Sequence, residues 1–470
     1  MFPLQPLLRE LPQILPVFAP ILLSQYAGIA NGLVDTAMTA RLGTLELGSV
    51  AVGVAVWVPV NLFSMGVLYG MLMLISRRYG AGDDKGVRET AHQGIWIGLA
   101  LGGLSALAVR LLSYRLGWFG VASELVAPAG EYMRMVAVGL PFLSMAIAMR
   151  FFCEGQKVLV PITVMSILMV GINALLNYGL MFGKLGLPNL GLRGCGMATT
   201  ASCICFLAML AIFIRFAPNS AGRTFFQRLY MPNRLLICEI LKIGVPIGLA
   251  VTSEYLVFTV ITLLIATLGA VPAAAHQVCF SVMMLLFATP RALSVAASIR
   301  VGTLLGKGDS AALREAIVGI MLLGAFMGLA FTAVMALGAE PLLRLFTTDS
   351  AVLPLAIKVL LVAAFFQLAD SLQICLNGTL RGAGDTVVPF YLTTLAYWLL
   401  CLPLGYLLAG LPLLGGLGLS PEVFGIRGWW MALTVSISLV SVLLAFRVRR
   451  IFWARRVSMQ AGSLETKTEA

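Results

Sequence analysis

The chain has 470 residues, of which 60% are hydrophobic and only 11% charged, where soluble domains carry roughly a quarter charged residues. That composition excludes an ordinary water-soluble fold and indicates a chain that crosses a bilayer many times. The net charge of +12 does not point to nucleic acid, because roughly two thirds of the 32 Lys and Arg fall in alternate connections between apolar runs, as on the cytoplasmic side of a membrane.

Runs of about 20 mainly apolar residues span hydrocarbon as helices. Twelve are readable, at about 14–38, 47–75, 92–112, 127–149, 158–182, 195–215, 236–268, 273–299, 316–338, 352–376, 387–410 and 428–448. The first lacks a basic leader and a convincing cleavage site, so it is expected to stay in the mature chain. With the Lys/Arg-rich connections inside, both termini are cytoplasmic. The eight cysteines lie in apolar segments without a CxxC pair and read as reduced small hydrophobes.

Three acidic residues fall well inside spans: Asp35, Glu254 and Asp370. A charge at a helix centre costs about 2.5 to 3.5 kcal/mol on insertion scales, so such residues mark functional sites by default. Asp35 stands in "SQYAGIANGLVDTAMT" of the first span, where helical spacing gathers Ser24 or Gln25, Gly28, Asn31 and Thr39 into a polar stripe. In the fifth span "GINALLNYG" sets Asn173 and Asn177 on one helix face, and Thr199 follows in the sixth. A carboxylate, two amides and a hydroxyl are oxygen ligands suited to a hard cation such as Na⁺. The alternative for the asparagines is hydrogen bonding between helices.

The basic stretch from Arg215 to Lys242 is the one long polar connection and reads as a linker. Beyond it, Glu254 has Phe258 one turn on. In the eighth span His276, Phe280, Met283 or Met284, and Phe287 recur at helical spacing. This stripe is either packing or a soft surface for varied apolar ligands. His276 is either a proton relay or a hydrogen-bonding strut, and Arg291 either neutralises an acid or snorkels. In the tenth span Asp370 shares a face with Phe366, Gln367, Gln373 and Asn377. A carboxylate out of water can hold a proton as well as a metal cation.

Shifting the chain by 226 residues lays "YGAGDDKGVRET" over "LGKGDSAALREA" and pairs Pro20 with Pro246. With a short insertion, "GLRGCGMA" meets "GIRGWWMA". The chain is an internal duplication. Each copy has six spans, an even number, so the expected fold is all-α, polytopic, with twelve transmembrane helices in two six-helix lobes related by a pseudo-two-fold axis along the membrane normal and a cavity between them. The expected divisions are a lobe at 1–220, a cytoplasmic linker at 221–235, a lobe at 236–450 and a cytoplasmic tail at 451–470. Pro20 and Pro246, at equivalent places, are expected hinges. The ionisable residues are not duplicated: Glu254 aligns with Gly28, His276 with Val50, and Asp35 with Ile261.

"VDTAMTARLG", "CEGQKVLVP" with its counterpart "RGAGDTVVP", the paired "GLRGCGMA" and "GIRGWWMA", "SEYLVF", "AAHQVCF" and "LADSLQ" together resemble the multidrug and toxic compound extrusion (MATE) family, in its NorM-type bacterial branch. The likeness runs over essentially the whole chain. "CEGQKVLVP" departs from its counterpart in lacking the second glycine and the threonine.

The resemblance implies a secondary active antiporter of the bacterial inner membrane. It would export amphipathic or cationic drugs, such as fluoroquinolones and dyes, in exchange for Na⁺ or H⁺, as a monomer and without a cofactor. It implies cation binding by Asp35, Asn173, Asn177, Thr199, Glu254 and Asp370. It also implies drug contact by Asp349 of "FTTD", which the sequence alone reads equally as a helix N-cap. The stripe residues Phe258, His276, Phe280, Met283, Phe287 and Phe366 are the further substrate-binding candidates.

Three rival readings carry less. A lipid-linked oligosaccharide flippase would want a cationic interior, whereas the buried charges here are mainly acidic. The 77–91 loop does not read as a major facilitator signature. An enzyme would need convergent catalytic groups, and there are two histidines, no HExxH and no phosphate-binding loop.

Overall fold

A computed structural model describes residues 4–216, 225–227, 229–410 and 424–454. Residues 221–224 and 228 of the expected linker, and all of the expected tail except 451–454, lie outside the described residues.

Among the described residues the regular structure is helical, with twelve helices long and apolar enough to cross a membrane. They are α1 (Leu4–Ala40), α2 (Thr44–Gly80), α3 (Asp84–Ser113), α4 (Ser123–Gly155), α5 (Val160–Phe182) and α6 (Gly191–Arg215) in the first repeat. The second holds α7 (Arg234–Ala266), α8 (Ala270–Lys307), α9 (Ser310–Leu337), α10 (Leu353–Gly382), α11 (Val387–Leu408) and α12 (Ile426–Ala454). Each overlaps one of the expected runs, some falling one or two residues short of it and several continuing beyond it. Helix α3, for instance, begins at Asp84 because Asp83 caps it, well before the apolar run at about 92.

The repeat is visible in the turns. Gly82 and Gly308 adopt left-handed φ angles of 74° and 72°, a conformation that glycine takes without steric cost. The aspartate that follows each of them caps the next helix. Asp83 Oδ1 accepts the Gly86 N–H at 2.8 Å, and Asp309 Oδ1 accepts the Ala312 N–H at 2.9 Å. The matched "GAGD" and "GKGD" are therefore one turn-and-cap device used twice.

Two compact units form. One comprises Pro16–Thr252 with Gly302–Gly308; the other comprises residues up to Leu15, Ser253–Val301, and Asp309 onward. Helices α1 and α7 each change unit part-way along. In the first unit, Gly66 and Gly70 of α2 meet Gly248 and Gly244 of α7 backbone to backbone, the close approach that small residues permit between membrane helices. In the second, Glu10 near the start of α1 packs on Gly319 and forms a bidentate pair with Arg300, at 2.7 and 3.2 Å.

The fourth helix of each repeat, α4 and α10, has the most buried apolar stretch among the described spans. The core of the first unit gathers Val109, Tyr132, Met133, Val136, Leu140 and Cys195. That of the second gathers Val257, Ile261, Leu360, Phe366, Tyr397 and Trp430. In the first unit the described end of the linker is laid on α3. The Gln93 amide donates to Met231 O at 3.0 Å and accepts the Asn233 N–H at 2.8 Å, while Phe225 stacks on His92 at 4.4 Å.

Candidate functional site

Each unit carries its own group of polar residues within its long apolar helices. In the first, α1 supplies Asp35 and α5 supplies Asn173 and Asn177, which one helical turn places on a common face. Both asparagines are fully buried. The Asn177 amino group donates one hydrogen to Asp35 Oδ1 at 2.6 Å and the other to Asn173 Oδ1 at 3.0 Å. That uses both hydrogens, and Asn177 Oδ1 is left buried with no hydrogen-bond partner. Asn173 Nδ2 then donates to Ser202 Oγ of α6 at 3.4 Å.

Thr199 does not join this chain of bonds, because its hydroxyl donates back to Cys195 O at 3.1 Å. Ser202, one turn further along α6, holds the position instead. The Thr39 hydroxyl donates to Asp35 O at 2.7 Å and lies 3.8 Å from Cys195 Sγ. Deeper in α1, Ser24 Oγ donates to Thr163 Oγ1 at 3.2 Å, and that hydroxyl donates to Pro20 O at 2.8 Å. These bonds tie α1 to α5 beside its proline.

The second unit holds Glu254 on α7 and Asp370 on α10. Asp370 is 1% exposed and its Oδ2 has no hydrogen-bond partner. Gln367 Oε1 and Asn377 Oδ1 of the same helix are in the same condition. Glu254 interacts electrostatically with Asp370 and with Arg291 of α8, so Arg291 is the opposing charge near an acidic pair.

The Tyr397 hydroxyl donates to Glu254 Oε1 at 3.4 Å, and one residue on, Trp398 Nε1 donates to Ser253 Oγ at 2.7 Å. Both donors sit on a π-helical turn, Ala396–Cys401, within α11. Pro403 cannot donate to the Leu399 carbonyl four residues back, and wider turns of this kind inside helices often mark functional sites.

Aromatic rings adjoin the carboxylates. Phe258 meets Phe280 at 5.7 Å, Phe366 at 6.4 Å and Tyr397 at 6.3 Å. Trp430 meets Phe366 at 6.1 Å and His276 at 5.7 Å, and His276 stacks with Phe280 at 5.9 Å. Phe258 and Phe280 are half-buried, and the other four side chains are buried. Tyr397 thus touches both an acidic group and the aromatic group.

Of the stripe residues in α8, His276 and Phe280 belong to this group. Met283 is buried in the apolar core, and Phe287 makes no ring contact among the described residues. Asp349 is exposed and does not cap α10: the cap position is Val352, without a side-chain bond. Asp349 Oδ1 instead accepts the Ala351 N–H at 2.7 Å, closing a local turn ahead of the helix.

Ser202, Tyr397 and Trp430 were missed by the sequence reading. The repeat held a signal for two of them. Trp430 replaces Gly196 in the otherwise matched "GIRGWWMA", and Tyr397 stands 226 residues after Gly171.

The MatE family model matches residues 20–179 and again 246–407. The two matches start 226 residues apart, at the offset of the internal repeat. The chain is 33% identical to the multidrug resistance protein PmpM of Pseudomonas aeruginosa, over 97% of this chain and 94% of that one. It is 32% identical to the probable multidrug resistance protein NorM of Acinetobacter baylyi, over 94% and 96%. Among solved structures, the eukaryotic MATE transporter AtDTX14 matches with a TM-score of 0.82 at 22% identity, over 94% of this chain and 96% of the other. A multidrug resistance MATE family transporter in an outward-facing conformation matches with a TM-score of 0.83 at 19% identity, over 94% and 95%.

Proposed function

The chain belongs to the MatE family, and from that premise we propose that it is a secondary active multidrug efflux transporter of the bacterial inner membrane, exporting amphipathic and cationic drugs in exchange for Na⁺ or H⁺. It is a transporter and not an enzyme. The observation that carries the reading is Tyr397, whose hydroxyl reaches Glu254 while its ring packs on Phe258. One residue thus connects an acidic group to an aromatic surface. The curated relatives named as multidrug resistance proteins support the substrate class.

In this reading Asp35 and Asn177 supply oxygens to an entering cation, with Asn173 and Ser202 fixing the amide. Asn177 Oδ1 is the bare oxygen beside the carboxylate, and hard cations take such ligands. The sequence candidate Thr199 donates its hydrogen to Cys195 O and keeps its oxygen lone pairs for a cation. Glu254 and Asp370 form the second acidic group. Their negative charges compete for an inorganic cation, a proton or a cationic drug, so that occupancy by one weakens the others. Exchange follows when the two arrangements of the protein bind these species with different affinity. Fluoroquinolones and dyes are the substrates the aromatic group suits, with Phe258, Phe280 and Phe366 offering ring faces and His276 a polar edge. Asp349 is a contact for cationic drugs outside this group. The protein works as a monomer with no resident cofactor and with both termini in the cytoplasm.

Ethidium export from everted vesicles, energised separately by a Na⁺ gradient and by a pH gradient, tests the reading and identifies the ion. Export that runs equally well with both gradients collapsed overturns it.

A further inference from the structure

The hydrogen-bond pattern around His276 determines which of its nitrogens carries the proton. His276 is 1% exposed, and its Nε2 lies 3.0 Å from Thr262 Oγ1. The Thr262 hydroxyl has one hydrogen, which it donates to Phe258 O at 2.9 Å. The contact to His276 therefore requires the imidazole to donate from Nε2. In the neutral ring this leaves Nδ1 as a lone-pair acceptor, and Nδ1 is buried without a partner. A buried polar atom without a partner calls for an explanation. Here the surroundings supply one. The ring stacks with the half-buried Phe280 on one side and packs with Trp430 on another, and the Trp430 indole N–H is itself buried and unpartnered.

We infer that His276 Nδ1 is the specificity-determining acceptor of the aromatic group, taking a hydrogen bond from an N–H of an aromatic ammonium substrate whose ring stacks on Phe258 and Phe280. This rests on the efflux reading above and narrows its substrate class. Aromatic cations that carry an N–H are preferred over equally charged, equally aromatic cations that carry none. Thr262 is a positioning residue: by engaging Nε2 it keeps the lone pair on Nδ1. Phe280 lies one turn along α8 from His276, so the ring covering the imidazole belongs to the same helix and is the half-buried member of the pair.

The test uses two compounds with one core: norfloxacin, whose piperazinium carries N–H groups, and its N,N-dimethylpiperazinium derivative, which keeps the charge and the ring system and has no piperazine N–H. Half-saturation for gradient-driven export from everted vesicles is measured for the wild type, His276→Phe and His276→Asn. The wild type is expected to favour norfloxacin by about tenfold, the worth of a hydrogen bond from a charged donor. In His276→Phe that preference disappears because the norfloxacin value rises about tenfold more than that of the derivative, on top of whatever shift the altered ring produces in both. His276→Asn, which keeps an acceptor near the Nδ1 position, recovers part of it. Equal half-saturation of both compounds in the wild type overturns the inference without recourse to a variant, and so does an equal rise for both in His276→Phe. Failure to export either compound, or ethidium, overturns the efflux reading itself.

Discussion

Asn177 donates to Asp35 Oδ1 at 2.6 Å and, from the same amino group, to Asn173 Oδ1 at 3.0 Å. One amide therefore orients the carboxylate and fixes its own neighbour, and its carbonyl oxygen is buried without a hydrogen-bond partner. Asp35→Asn is expected to abolish cation-driven export through this site. Asn177→Ala is expected to raise the half-saturating cation concentration about tenfold or more, the loss of a hydrogen bond to a charged group. Drug export measured against a titrated Na⁺ or H⁺ gradient reads both, and an unchanged Asn177→Ala curve would remove Asn177 from the site.

Tyr397→Phe deletes the hydroxyl that reaches Glu254 and keeps the ring against Phe258. Export is expected to fall several-fold with little change in thermal stability, because a single hydrogen bond contributes about 0.5–1.5 kcal/mol. Glu254→Gln is expected to lose gradient coupling outright. The two variants are compared by the dependence of export rate on the imposed gradient, and coupling that survives in Glu254→Gln contradicts the assignment.

The Glu10–Arg300 pair has side chains only 5% and 12% exposed. Breaking such a pair from one side costs about 3–5 kcal/mol, since a buried charge loses its partner. Arg300→Met should lower the unfolding midpoint sharply, and Glu10→Gln with Arg300→Met should recover much of the loss. Thermal unfolding in detergent across the double-mutant cycle measures this.

Gly244 and Gly32 predict opposite outcomes. A Cβ at Gly244 collides with the backbone of Val67, whereas one at Gly32 meets nothing within 4 Å. Gly244→Leu is expected to prevent α2 and α7 from packing and to yield little folded protein. Gly32→Ala is expected to fold normally, with a gain of about 0.5–1 kcal/mol from helix propensity. Size-exclusion profiles of the purified variants distinguish them.

The site was legible to different depths. Asp35, Glu254 and Asp370 stand out because a carboxylate in an apolar run is costly, and Asn173 with Asn177 because four residues make one helical turn. Ser202 and Thr262 gave no such signal: serine and threonine usually satisfy themselves on their own helix, as Thr199 does on Cys195 O. Asp349 shows the converse failure. An aspartate shortly before a helix reads as a cap, yet its carboxylate closes a turn on Ala351 and the helix begins four residues on, at Leu353.

The sequence by itself determined the twelve helices, the duplication and the recurring turn-and-cap at Asp83 and Asp309. These depend on hydrophobic length and on bonds spanning three or four residues, which local order specifies. Only the tertiary structure decided that the first part of α1 packs with α8 and α9 through Glu10, that α7 leaves one unit for the other at Thr252, and that Tyr397 meets Glu254 from 143 residues away. Such contacts are set by which helix faces fit closely enough to exclude lipid and satisfy buried polar atoms. That is a property of surfaces brought together by packing, not of any one segment.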